Sequence, residues 1–98
     1  MDNSQGLVDG YVKEIKQLAA KRQMGEDFAT IKPKVDEVIK KAHEHIALWV
    51  NGTPEENWAT FGGKLKFLGH SVGDKVWADV LSYAGETVKA HEPPKRSK

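Results

Sequence analysis

From Phe28 to Trp49 the chain repeats apolar or aromatic side chains at alternating steps of three and four: Phe28, Ile31, Val35, Val38, Ala42, His45 and Trp49. Only an α-helix brings such positions onto one face, and Ile39 and Ile46 widen the stripe to the breadth of a core-facing surface. Asp36 with Lys40 and Glu37 with Lys41 are i,i+4 pairs in the favourable order on the polar side. A helix over 27–51 is expected, with a break or kink at Pro33, where the ring forfeits a hydrogen bond and crowds the carbonyl of Ala29. Of the two forms, a short helical turn over Asp27 to Ile31 followed by a main helix with Pro33 in its first turn is favoured over one kinked helix.

Three further segments carry the same period. Val8, Tyr11, Val12, Ile15, Leu18 and Ala19 define a helix over 4–23, with Lys21 and Arg22 at its negative end and Gly25 as its stop. Trp58, Phe61, Leu65 and Leu68 mark a helix over 54–68. Gly62 and Gly63 weaken it by about 1 kcal/mol each relative to alanine, so they either admit a close neighbour or break it. Gly69 is read as its end. Ser71 and Asp74 then open a fourth helix over 72–91, with Trp77, Leu81, Ala84 and Val88 inward and Val76, Val80 and Tyr83 beside them. The joint Gly52-Thr53-Pro54-Glu55-Glu56 is a stop followed by a start. Thr53 is the N-cap, Pro54 takes the first helical position, and Glu56 completes the capping-box spacing. The expected fold is all-α, a compact bundle of four amphipathic helices. It forms one domain over 1–92, followed by a basic disordered tail over 93–98.

Charge and composition exclude several classes of function. Lys89, Lys95, Arg96 and Lys98 against Glu92 leave the last ten residues at +3, so the rest of this +1 chain is at −2. The body therefore has no overall basic field for nucleic acid. An association of that kind would rest on Lys95, Arg96 and Lys98 with Lys64 and Lys66. A helix-turn-helix over the third and fourth segments fits poorly, because Lys75 falls at an inward position. The longest unbroken apolar run, Ile46 to Val50, is far short of the ~20 residues that span a bilayer. The chain has no cysteine, and its first residues lack the basic and apolar parts of a secretory signal. A cytoplasmic location without a membrane partner is expected.

No catalytic, cofactor or metal constellation emerges. His43 and His45 are two residues apart, roughly 200° around a helix, where a zinc helix places its pair at i and i+4. His45 is expected at the edge of the core and His43 on the polar face. Phe61-Gly-Gly-Lys64 lacks the spacing and the hydroxyl of a phosphate loop, and Glu55 and Glu56 are accounted for as helix-start carboxylates. Trp49-Val-Asn-Gly52 at a helix corner resembles the Trp-x-Gly helical-hairpin family. The spacing, however, is one residue longer, and Thr87 stands where an acidic residue four after Tyr83 is expected, so no membership follows. The expected role is a non-enzymatic, cofactor-free protein-interaction module (regulator, inhibitor, adaptor or oligomeric subunit), with a nucleic-acid-associated protein using the basic tail as the alternative and a small-ligand carrier or enzyme behind it. Trp49, Trp58, Phe61, Trp77 and Tyr83 are its candidate contacts, since aromatic side chains are enriched at binding hot spots. The partner would be another protein or a second copy.

Overall fold

The computed structural model describes residues 4–48, 53–71 and 75–94. Its elements are α1 (Ser4–Gln23), α2 (Phe28–Ala47), α3 (Pro54–Ser71) and α4 (Lys75–Ala90), and no strand occurs among the described residues. The fold is thus an all-α arrangement like a four-helix bundle. Every helix touches the other three, and the α3–α4 pair is the most extensive.

The apolar face read from α1 is the buried one: Val8, Tyr11, Val12, Ile15, Leu18 and Ala19 all lie in the core. Gly25, at φ 109°, closes the helix. The Glu26 amide donates to the Lys21 carbonyl at 3.2 Å and the Gly25 amide to Arg22 at 3.1 Å, a Schellman pair. In α2, Ile31, Val35, Val38, Ile39, Ala42 and Ile46 are buried.

Pro33 does not divide α2. The helix is continuous from Phe28, with Asp27 as an extended N-cap whose carbonyl takes the amides of Thr30 and Ile31 at 3.0 and 3.2 Å. The bond lost to proline is the one to the Ala29 carbonyl. Ala29 is exposed, so water can serve that oxygen. The helix ends at Ala47, four residues short of the expected 51, with the Leu48 amide on the His45 carbonyl at 3.1 Å. Residues 49–52, including the expected Gly52 stop, lie outside the described ones.

At the start of α3 the cap is as expected. The Glu56 amide donates to Thr53 Oγ1 at 3.2 Å, and the Asn57 amide donates to the Thr53 carbonyl. The glycines of α3 interrupt nothing, and Gly69 is no stop, since the helix runs on to Ser71. A Cβ on Gly62 would lie 2.9 Å from Val88 Cγ1, one on Gly69 3.3 Å from Ser82 Oγ, and one on Gly85 2.9 Å from Lys66 Cγ. These three glycines let α3 and α4 approach each other closely. The joint residues 72–74, and Asp74 with them, lie outside the described residues.

The segment after α4 packs against the body as far as Pro94, and residues 95–98 of the expected tail lie outside the described residues. Pro94 is fully buried, and the carbonyls of His91 and Glu92 are held by side chains of α3 and α2. The packed chain therefore extends through Pro94 rather than ending at 92.

Candidate interaction surface

The inward face of α3 is occupied by Trp58, Phe61 and Leu65. The Trp58 indole Nε1–H donates to the Val88 carbonyl at 3.0 Å and reaches His91 O at 3.4 Å, which joins the start of α3 to the end of α4. Its ring lies 5.7 Å from Phe61, and Phe61 lies 6.1 Å from Tyr11. His43 stands edge-on to Trp58 at 5.0 Å and 85°, while His45 lies 5.8 Å from Tyr11 at the other end of the row. An aromatic chain, His43–Trp58–Phe61–Tyr11–His45, thus crosses the core and leaves α2 in two directions.

This arrangement revises the placing of the histidines. His43 is the half-buried one, its Nε2–H donating to the Glu92 carbonyl at 2.9 Å. His45 is exposed and shares a hydrogen bond from Nδ1 with the Tyr11 hydroxyl. Burial raises the Tyr11 pKa above its ordinary value, and the Glu14 charge adds to the shift. Among the described residues no cluster of His, Asp and Glu is arranged to hold a metal ion.

Of the five aromatic contact candidates, Trp58 (3% exposed) and Phe61 (0%) are core residues and present no surface to a partner. Tyr83 is half-buried. Its hydroxyl donates to Asp36 Oδ1 at 2.7 Å, its ring meets Phe28 edge-on at 5.7 Å, and Lys32 Nζ sits 5.3 Å from its centroid. Its pKa is raised by desolvation, then by the Asp36 hydrogen bond. Trp49 and the side chain of Trp77 lie outside the described residues.

The two described lysine candidates, Lys64 and Lys66, point to different neighbours. Lys64 reaches across to α1 and pairs with Asp9, whereas Lys66 lies against Gly85 of α4 on the opposite flank of α3. Lys95, Arg96 and Lys98 lie outside the described residues.

The aromatic surface that α3 does present is elsewhere. Phe67 is 70% exposed. It borders an open apolar hollow of about 470 Å³ between α1 and α3, lined also by Asp9, Val12, Thr60, Gly63 and Leu68. Gly63 lines a second hollow too, about 270 Å³ between α3 and α4, whose wall includes Trp58, Gly62, Gly85 and Val88. Nothing lies within 4 Å of a Cβ built on Gly63. Glu56, Ala59, Thr60, Gly63, Phe67 and His70 are all exposed and form one continuous outer stripe of the helix. Sequence reasoning passes over Phe67 because it falls outside the Trp58–Phe61–Leu65–Leu68 stripe. That displacement was the available signal, since an aromatic residue off the apolar face has no place in the core. Met24 and Leu48 are also exposed, at 86% and 78%, but they stand apart at two helix ends.

No helix among the described residues is long and apolar enough to cross a membrane. Comparison with protein-family models, curated proteins and solved structures finds no match to this chain.

Proposed function

We propose that this chain is a non-enzymatic helical module that acts by binding another protein through the outer face of α3. One observation carries the reading: Phe67, 70% exposed, stands beside an open apolar hollow of about 470 Å³. An aromatic ring next to a concave apolar surface is a favourable contact for a partner, because burying both removes apolar area from water around a central anchor. The charged groups that border it, Asp9 and Lys64, already neutralise each other, so covering them strands no lone charge. A cytoplasmic location belongs to the same proposal, and a chain without cysteine is compatible with it.

The test compares the immobilised chain with its Phe67→Asp variant. The side chain is exposed, so the variant keeps the fold, as circular dichroism will verify. Proteins retained from native lysate by the original chain and lost by the variant support the reading. Identical retained sets from the two would sink it.

A further inference from the structure

Resting on that reading, we infer that the occupant of the α3 face is a second copy of this chain, with the two α3 helices antiparallel and crossing at Gly63. The stripe Glu56, Thr60, Gly63, Phe67, His70 advances by alternating steps of four and three, the spacing of a helix surface that packs against another helix. It is exposed along its whole length.

The order of residues along the stripe selects the occupant. In an antiparallel pair centred on Gly63, a position n residues after the glycine in one copy stands level with the position n before it in the other. Glu56 then meets His70, a carboxylate opposite an imidazole, about 10 Å along the axis on either side of the crossing. Phe67 stands over the depression framed by Glu56, Ala59, Thr60 and Gly63. These are positions i, i+3, i+4 and i+7, the hole that receives a knob from a facing helix. That depression opens onto the hollow toward Asp9 and Val12. A parallel pair would instead set Glu56 against Glu56 and Phe67 against Phe67.

Two-fold assembly requires one patch to complement itself. This stripe does so in hydrogen-bonding groups, carboxylate against imidazole, and in shape, and in one direction only. The inference also gives Gly63 a role. Gly62, Gly69 and Gly85 make room within the chain, whereas Gly63 faces open space. A glycine inside a helix weakens it, and at the crossing its missing side chain lets a facing backbone come close. Lys64, beside the crossing, is already paired with Asp9, so the two copies bring no unbalanced lysines together there.

Sedimentation velocity of the purified full chain, from low to high micromolar concentration, is the direct test. The expected result is a concentration-dependent monomer–dimer equilibrium. Phe67→Ala should weaken it at least about tenfold, as loss of a central anchor does. Gly63→Leu, placed where the monomer has room, should abolish it with helix content retained. Because the chain has no cysteine, Glu56→Cys and His70→Cys can report the direction of packing. Under mild oxidation the mixed pair should cross-link, and neither variant should link to itself. A chain that stays monomeric throughout, a Gly63→Leu dimer as tight as the original, or self-linked Glu56→Cys would overturn the inference. If a monomeric chain still loses a lysate protein on Phe67→Asp, self-pairing fails while the wider reading stands. If it loses none, both fail.

Discussion

Alanine at Gly63 should stabilise the chain whereas alanine at Gly62 should not, although the two positions are adjacent in the same helix. Neither glycine has a positive φ, so alanine fits the backbone at both. The intrinsic gain on leaving glycine in a helix interior is about 1 kcal/mol in each case. At Gly63 that is the whole effect, since the new methyl group meets nothing within 4 Å. For a chain of this size the gain corresponds to a rise in Tm of roughly 4–8 °C. At Gly62 the methyl group lands 2.9 Å from Val88 Cγ1 and 3.6 Å from its Cβ. Val88 is buried and β-branched, so it has no alternative rotamer into which to retreat. Overpacking of this kind costs about 1–3 kcal/mol, which cancels or outweighs the gain and leaves a net loss of up to about 2 kcal/mol. Thermal unfolding followed by far-UV circular dichroism measures both variants. Low concentration keeps self-association at Gly63 out of the comparison. Equal stabilisation by both substitutions would show that α3 and α4 do not meet at Gly62 as described.

Two other predictions probe the packing of single side chains. The raised pKa values of Tyr11 and Tyr83 mean that the folded chain holds the phenol protons more tightly than the unfolded one. Their contribution is therefore complete below the ordinary tyrosine value of 10.0 and is lost as pH rises from there through the raised values. Urea titrations at increasing alkaline pH should show a shallower loss of stability in Tyr11→Phe/Tyr83→Phe than in the original chain, and parallel slopes would contradict the shifts. A chain ending at Glu92 should be less stable than one ending at Pro94 by about 2 kcal/mol, the apolar contribution of the three methylenes of one buried proline ring. Coincident urea midpoints would mean that the segment after α4 does not pack.

How far the fold could be read from the sequence depended on whether a residue's signal had one cause or two. The period of α2, the Thr53 cap and the Gly25 stop each have a single physical explanation, and the structure contains all three. Glycine inside an apolar stripe has two. A missing Cβ both loosens the backbone and admits a neighbour, so Gly69 reads as a stop until Leu81 and Ser82 are seen against it. Pro33 is similar: its cost depends on whether the orphaned carbonyl is wet, and exposure of Ala29 is a tertiary fact. The histidines follow the same logic. Spacing alone separates His43 from His45, but which one turns inward depends on Trp58 and the Glu92 carbonyl arriving from elsewhere in the chain. The candidate surface was the hardest part, because tryptophan suggests binding and burial equally. Trp58 resolves toward burial, since its N–H finds a carbonyl of α4 inside the molecule. What distinguishes Phe67 is its exposure. It sits off the apolar stripe, no ring among the described residues is paired with it, and a Cβ on the glycine one turn before it would meet nothing within 4 Å. An exposed phenylalanine and an open glycine, one turn apart on one helix face, are the pattern that the proposed facing helix accounts for.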